Sequence, residues 1–160
     1  MREQDIKFTL RIYKNPAELQ PQDAELLNAA KEALKNAYAP YSQFNVAAAV
    51  LLENGKILTG TNQENASYPV TICAEGTVLS AVSALYPGVA VKKMAITVKS
   101  ERHITTKPAG PCGVCRQRIS EYENRFNTNI EIIMMAEEGE VYWVKSVQDL
   151  LPLSFSKTDL

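Results

Sequence analysis

The sequence predicts an α/β fold, a three-layer α/β/α sandwich around a five-stranded mixed sheet. Two predicted hairpins indicate this fold. The β-rich runs 45–52 and 56–62 flank Glu53-Asn54-Gly55, where Asn-Gly is a strong hairpin signal, and the runs 130–136 and 141–145 flank a polar connection too short for a parallel crossover. Between the hairpins a helix, a strand and a second helix follow one another, which places helices on both faces of one sheet.

The first part of the chain predicts a strand, a helix and a loop. Residues 6–13 alternate apolar and polar side chains, which is typical of a half-buried strand at the start or edge of the sheet, additional to the other five. Apolar residues at helical spacing predict a helix over 21–38. Pro40 disfavours helix before it, so residues 38–44 form a loop whose aromatic side chains either contact a ligand or fill the edge of the core.

The remaining elements follow the first hairpin. A helix is predicted over 73–85, because apolar residues recur at helical spacing and Pro87-Gly88 then stops the pattern. An alternating strand covers 93–99, and a polar loop leads to a second helix over 112–122. A final short helix over 146–151 ends at a proline.

Composition limits the classes of function. A chain of 160 residues that is 46% hydrophobic is large enough for one core, so we predict one domain over 1–160, with an N-terminal extension at 1–20 and a core at 21–155. The net charge of −1 provides no basic surface for nucleic acid. No apolar run reaches the roughly eighteen residues of a membrane span, and the N-terminus lacks an apolar secretory core, so we expect a cytoplasmic protein without a membrane partner.

All three cysteines are candidate metal ligands. Cys73, Cys112 and Cys115 each lie in the first turn of a predicted helix, where free backbone N–H groups and the helix dipole favour the thiolate. An odd number of cysteines with a Cys-x-x-Cys pair suits metal binding in a reducing compartment better than a disulfide framework. Zinc accepts such thiolates at about 2.3 Å, and three protein ligands leave a fourth position for water.

Glu75 distinguishes a catalytic zinc site from a structural one. It lies two residues after Cys73, within reach of the open position, where it can take a proton from water and pass it to a substrate. The alternatives are a structural zinc site, or three buried cysteines with Glu75 on a solvated helix face. A redox pair of Cys112 and Cys115 is a further alternative, and it leaves Cys73 and Glu75 without a role.

Five segments carry a resemblance to a known family. They are A-Y-A-P-Y-S-Q-F-N-V, T-N-Q-E-N-A, C-A-E, P-C-G-V-C-R-Q and L-L-P-L-S-F, within residues 37–155. Together they resemble the zinc-dependent cytidine deaminases, the small enzymes that act on free nucleosides. The resemblance implies the cytidine deaminase fold, one Zn²⁺ per subunit, and deamination of cytidine and 2'-deoxycytidine to uridine and 2'-deoxyuridine in pyrimidine salvage.

The resemblance also implies roles for the polar residues. The cysteines hold zinc, and Glu75 shuttles protons while zinc-bound hydroxide attacks carbon 4 of the pyrimidine and ammonia leaves. Asn62 and Glu64 take the positions that bind the ribose hydroxyls, a task suited to an amide and an acceptor-only carboxylate. Turn formation is the alternative role for Asn62.

The aromatic positions are implied in the same way. Phe44 packs on the pyrimidine, while backbone around Ala66 and Cys73 reads the base edge. Tyr68 and Phe155 match residues that complete a neighbouring subunit's pocket, which implies a homotetramer. The alternatives are core filling for Phe44 and anchoring of the tail for Phe155.

One departure from the family concerns charge. The family usually follows C-A-E with arginine, whereas this chain has Gly76, and three thiolates outweigh the charge of Zn²⁺. Compensation then falls to the two helix N-termini, together with Arg116. We therefore expect a higher pKa for zinc-bound water, or weaker zinc retention, than in related enzymes.

Three other functions compete with this interpretation. One is a deaminase for a modified nucleoside or an aminopyrimidine antibiotic, against which Asn62 and Glu64 argue. Another is an inactive, zinc-stabilised nucleoside-binding protein, against which Glu75 argues. A nucleic-acid deaminase is disfavoured by the net charge and by the short connection at 137–140.

Overall fold

The computed structural model describes residues 1–160 and contains one six-stranded sheet and three α-helices. The elements are β1 Arg11–Tyr13, α1 Pro21–Ala33, β2 Phe44–Leu52, β3 Ile57–Thr61, α2 Ala74–Leu85, β4 Val91–Ser100, α3 Gly113–Phe126, β5 Glu131–Met135 and β6 Val141–Val144. The strand order is β1-β6-β5-β4-β2-β3, with β4 and β5 parallel and all other neighbours antiparallel. The predicted mixed sheet is confirmed, and the additional N-terminal strand joins it as a sixth.

Helices cover both faces of the sheet. Successive residues of β4 point to opposite sides, so Met94 belongs to one buried cluster and Ala95 to the other. The cluster around Ala95 includes Leu26 and Leu27 of α1, whereas the cluster around Met94 includes apolar residues of α2 and α3, among them Val78 and Ile119. The predicted three-layer sandwich is therefore confirmed.

Both predicted hairpins form. Leu51 of β2 pairs with Ile57 of β3 across a turn in which Gly55 has a φ of +79°, a left-handed conformation that glycine adopts without strain. Met135 of β5 pairs with Val141 of β6, and the turn between them again contains a glycine with positive φ, Gly139.

The strand predicted over 6–13 and the helix predicted over 21–38 are shorter in the structure. Only residues 11–13 pair in the sheet, because the neighbouring strand β6 is four residues long and offers partners only at 141–143. Helix α1 ends at Ala33, and residues 34–36 form a 3-10 turn that leads into the loop before Pro40.

The helices of the second half also differ from their predicted bounds. Helix α3 extends to Phe126 and ends where Asn127 adopts a left-handed conformation, with φ of 49°. The helix predicted over 146–151 is only a 3-10 turn, Val147–Asp149, capped by the Ser146 side chain. No helix of the structure has both the length and the apolar character needed to span a membrane.

Gly60 allows α2 to lie directly on the sheet. A Cβ at this position of β3 would come within 2.6 Å of the Val78 nitrogen and 2.8 Å of the Ala74 oxygen, both in the backbone of α2. Only glycine permits this approach, because neither backbone can move independently of its layer.

The topology brings the starts of two helices together. Strands β3 and β4 both run antiparallel to β2, so they run parallel to each other. Helix α2 follows β3 and helix α3 follows β4, so both helices begin beyond the same edge of the sheet. Strand β2 begins at that edge with Phe44, which pairs with Ser100 at the end of β4.

Candidate metal centre and substrate cleft

The three cysteine thiols meet at this edge of the sheet. Cys73 is the N-cap of α2, Cys112 is the N-cap of α3, and Cys115 lies in the first turn of α3. The Sγ atoms of Cys73 and Cys112 are 3.8 Å apart, and all three Sγ atoms lie within 4.8 Å of one another. Tetrahedral zinc with sulfur ligands at about 2.3 Å requires separations of about 3.8 Å, so this set of donors fits one zinc ion.

The pKa values of the Cys73 and Cys115 thiols are shifted in opposite directions. A hydrogen bond from the Cys115 thiol lowers the pKa of Cys73 to about 6, although burial opposes the shift, and the charge of Arg118 acts in the same direction as the hydrogen bond. The same hydrogen bond, together with burial, raises the pKa of Cys115. The arrangement therefore favours the thiolate form of Cys73, and a bound metal ion would displace the remaining thiol protons.

Glu75 lies beside the thiols in the first turn of α2. Its side chain is buried, with the residue only 4% exposed, and burial raises the pKa of its carboxyl above the usual range. A hydrogen bond involving Cys115 acts in the opposite direction but is the smaller effect. A carboxyl group held in this environment can accept and release a proton closer to neutral pH than a solvated one.

A cleft of about 460 Å³ opens next to the thiols. Its volume falls in the range of small-molecule sites, which is about 300 to 1,000 Å³. Six of the residues predicted for the site line it: Phe44, Asn62, Glu64, Cys73, Glu75 and Cys112. Most of its other lining residues are apolar, so the cleft combines an apolar wall with a few polar groups.

Asn62 joins the end of β3 to the start of β2. Its Oδ1 accepts a hydrogen bond from the Val46 nitrogen at 2.8 Å, and its Nδ2 donates to the Phe44 oxygen at 2.9 Å. These bonds hold Phe44 at the cleft wall and leave the second Nδ2 hydrogen for another acceptor. Asn62 therefore links two strands, and turn formation does not describe its contacts.

Glu64 anchors the aromatic loop at the cleft. Its Oε2 accepts hydrogen bonds from the Tyr41 nitrogen at 2.9 Å and the Ser42 nitrogen at 3.2 Å. A hydrogen bond from the Ser42 hydroxyl is the main cause that lowers the pKa of Glu64. The carboxylate is thus ionised at neutral pH and available as an acceptor at the rim of the cleft.

The other three predicted substrate contacts lie outside the cleft of one chain. Ala66 is exposed and does not line it. Tyr68 is 71% exposed and packs edge-on against Tyr41, with ring centroids 6.0 Å apart. Phe155 is 59% exposed, and its carbonyl oxygen accepts a hydrogen bond from Gln117 Nε2 at 2.9 Å.

The arginines near the thiols have different partners from those expected. Arg116 donates from Nε to the Pro111 oxygen at 2.8 Å and from Nη1 to the Leu150 oxygen at 2.9 Å, so it ties the start of α3 to the C-terminal segment. Its hydrogen bonds are made to these carbonyls and not to a thiol, so the expected contribution of Arg116 to charge compensation stays a prediction. Arg118 instead approaches Gly76 of α2 and acts on the Cys73 thiolate.

Sequence reasoning also missed part of the cleft wall. Ile72, Ile96, Val98, Ala109 and Gly110 line the cleft, from the segment before Cys73, from β4 and from the loop before α3. Ile72 and Gly110 stand close to the cysteine motifs in the sequence, and this proximity is the signal that could have identified them. The β4 residues carried no such signal, because ordinary strand alternation explains them equally well.

Comparison with known proteins agrees with the geometry. The family described as "Cytidine and deoxycytidylate deaminase zinc-binding region" matches residues 20–128. The cytidine deaminase of Sporosarcina psychrophila is 38% identical over 137 residues, which cover 85% of this chain and 93% of that protein. The cytidine deaminase of Halalkalibacterium halodurans is 35% identical over 84% of this chain and 95% of that protein.

The fold comparison points the same way. The crystal structure of a cytidine deaminase from Burkholderia pseudomallei superimposes with a TM-score of 0.71 at 35% identity, and covers 86% of this chain and 100% of that one. The fold, the sequence matches and the cluster of three thiols agree with one another. The chain therefore belongs to the zinc-binding family of cytidine and deoxycytidylate deaminases.

Proposed function

We propose that this protein hydrolyses cytidine and 2'-deoxycytidine to uridine and 2'-deoxyuridine, releasing ammonia, as a step in pyrimidine salvage. The observation that carries the proposal is the position of Glu75, which is buried at the wall of a cleft that Cys73 and Cys112 of the thiol cluster also line. A structural zinc site requires neither a cleft nor a buried carboxyl beside the metal ligands.

The three thiols would hold one Zn²⁺ per subunit. When bound, the zinc ion supplies a Lewis acid that lets a water molecule lose its proton near neutral pH. Glu75 accepts that proton and delivers protons to the pyrimidine ring nitrogen and to the departing amino group. Its raised pKa supports this role, because the same group must both accept and donate within one turnover.

The cleft provides groups for the rest of the nucleoside. Phe44 packs against the pyrimidine ring, and the backbone around Ala66 and Cys73 reads its edge. The free Nδ2 hydrogen of Asn62 and the carboxylate of Glu64 bind the ribose hydroxyls, one as donor and the other as acceptor. These proposed roles are supported by one observation: Phe44, Asn62 and Glu64 line the same cleft as Glu75.

We also propose a homotetramer in which Tyr68 and Phe155 complete the pocket of a neighbouring subunit. Both side chains are exposed and lie outside their own cleft, which suits residues that reach another subunit. Residues 21–155 form the catalytic core of the single domain, and the three free thiols suit the reducing cytoplasm.

The test is a substrate panel on purified protein whose zinc content is measured on the same sample. We expect one zinc ion per chain and ammonia release from cytidine and 2'-deoxycytidine. Zinc-loaded protein that releases no ammonia from either nucleoside overturns the proposal. Turnover restricted to a modified nucleoside or an aminopyrimidine antibiotic indicates the related deaminase, and cytidine binding without turnover indicates a binding protein.

A further inference from the structure

The space above Gly76 is filled by the side chain of Arg118. Gly76 lies in the first turn of α2, and a Cβ added there would overlap Nη1 of Arg118 and come within 3.4 Å of its Cζ and 3.3 Å of Ile72 Cγ2. Glycine inside a helix is less favourable than alanine. Here it makes room for a guanidinium group that arrives from α3, a different helix.

Arg118 has no other evident electrostatic role. It forms no ion pair with a carboxylate of the chain. Arg118 lies three residues after Cys115, almost one helical turn, so both side chains lie on the same side of α3. The guanidinium therefore lies between the two helices that carry the thiols.

The thiol cluster requires positive charge in its surroundings. Three thiolates outweigh the charge of one Zn²⁺. The helix N-termini supply only partial positive charge, about half an elementary charge each. Arg116 donates to backbone carbonyls, whereas the Arg118 guanidinium lies against Gly76, three residues after Cys73 in the first turn of α2.

We propose that Arg118, seated over Gly76, is a positioning residue of the metal centre whose guanidinium offsets the excess negative charge of the thiolates. Gly76 and Arg118 then act as one unit across α2 and α3. The inference rests on the proposed function, since it presumes that the thiols hold zinc. It goes beyond that function by assigning the charge compensation to a residue outside the cysteine motifs.

Two substitutions separate the charge from the position of Arg118. Arg118→Gln removes the charge, whereas Gly76→Ala keeps the charge but displaces the guanidinium. We expect each variant to lose zinc to a chelator about 10-fold faster than the unsubstituted protein, because residues that support metal ligands typically contribute about 10- to 100-fold in metal affinity and Arg118 is exposed. Arg118→Lys should retain most of the zinc affinity.

The control is Arg125→Gln, which removes the same charge from the last turn of α3. It should release zinc at the unsubstituted rate. Raising the salt concentration should shrink the difference between Arg118→Gln and the unsubstituted protein, because an exposed charge is screened. A purely structural effect of Arg118 would not depend on salt in this way. Thermal unfolding should show that Gly76→Ala remains folded, which separates displacement of Arg118 from loss of structure.

A double variant tests whether zinc retention can be restored. Arg118→Ala should weaken zinc retention, and Gly76→Arg combined with Arg118→Ala should restore it, because the second arginine would enter the same space from α2. The inference is overturned if Arg118→Gln releases zinc no faster than Arg125→Gln. If the unsubstituted protein binds no zinc at all, both the proposed function and this inference are overturned. The failure of the inference alone is therefore distinguishable from the failure of the proposed function.

Discussion

The Lys93 ammonium group of β4 lies 2.6 Å from a carboxylate oxygen of Asp23 in α1, and 3.2 Å from a carboxylate oxygen of Glu131 in β5. Asp23 is buried, and Trp143 donates a further hydrogen bond to Glu131 at 3.1 Å. This network ties the helix to the sheet on the face opposite the candidate active site. Removing one member leaves a charge without its partner in a poorly solvated place.

We expect Asp23→Ala to lower the free energy of unfolding by about 2 to 3 kcal/mol, less than the cost of an isolated buried pair because Glu131 remains beside Lys93. Replacing both Asp23 and Lys93 with apolar residues of similar size should cost less than the single change. Urea denaturation of both variants checks this, and a double variant less stable than Asp23→Ala would contradict it.

The same network gives a pH dependence. Burial alone would lower the pKa of Lys93, but the hydrogen bonds that its ammonium group donates to Asp23 and Glu131 raise it above the ordinary value. The stabilisation from Lys93 is therefore fully present below the unfolded pKa and is lost as the pH rises through the folded pKa. Denaturation midpoints of unsubstituted protein and Lys93→Met should converge above about pH 10.5. A constant difference across that range would contradict the prediction.

Gly60 should tolerate no side chain. Gly60→Ala places a methyl group against the backbone of α2, and we expect a loss of about 1 to 3 kcal/mol in the free energy of unfolding, because overpacking against backbone displaces whole elements. Gly113→Ala is the matched control, since a Cβ at Gly113 meets nothing within 4 Å. The control should be neutral or slightly stabilising in the same thermal unfolding assay.

Glu75→Gln tests the proton carrier. The amide has nearly the same shape as the carboxyl but cannot accept and return a proton, so kcat should fall at least 10²- to 10⁴-fold. Zinc content and thermal stability should stay close to those of the unsubstituted protein. Glu138→Gln, on the exposed connection between β5 and β6, provides a control and should keep full activity. Substantial turnover by Glu75→Gln would rule out the proposed role.

Substitutions at Asn62 and Glu64 should distinguish effects on cytidine binding from effects on the stability of the fold. Glu64→Gln keeps an oxygen for the Tyr41 and Ser42 nitrogens but removes the charge, so KM for cytidine should rise about 10-fold with little loss of stability. Asn62→Ala removes two bonds between strands, which should cost about 2 kcal/mol of unfolding free energy as well as raise KM. Steady-state kinetics and urea denaturation on both variants decide between these outcomes.

Phe155 offers a test of assembly. If it completes a neighbouring pocket, Phe155→Ala and Glu75→Gln subunits should each be weakly active alone but recover part of the activity when refolded together. The mixed tetramer contains pockets in which intact Glu75 and intact Phe155 come from different chains. Light scattering on the same samples measures the assembly. No recovery in demonstrably mixed tetramers would refute a pocket shared between subunits.

The sequence predicts the fold where a local signal determines it. Asn54-Gly55 indicated the first hairpin, and the alternation around Met94 indicated a strand. The predicted strand over 6–13 was too long because its pairing depends on the length of β6, which no property of residues 6–13 reveals. The end of α3 was misplaced because left-handed Asn127 gave a weaker stop signal than glycine would have given.

In the candidate site, too, the sequence predicts what a local signal determines. Cys73, Glu75, Cys112 and Cys115 could be grouped from their spacing and residue types alone. The relation between Gly76 and Arg118 could not, because it joins two helices whose separation appears only in the folded chain. Arg116, named in the sequence analysis, stands next to Cys115, and its donors are directed to backbone carbonyls.

Strands β3 and β4 run in the same direction on either side of β2. The distance between Cys73 and Cys112 is therefore set by the spacing of these strands across the sheet, and not by the number of residues between the two cysteines. Neighbouring strands are held about 4.8 Å apart by their ladders, so the connection between α2 and β4 can lengthen without moving either thiol. Residues inserted after Tyr86 should therefore leave zinc affinity unchanged, and this turn is a natural place to attach a tag or a fused domain.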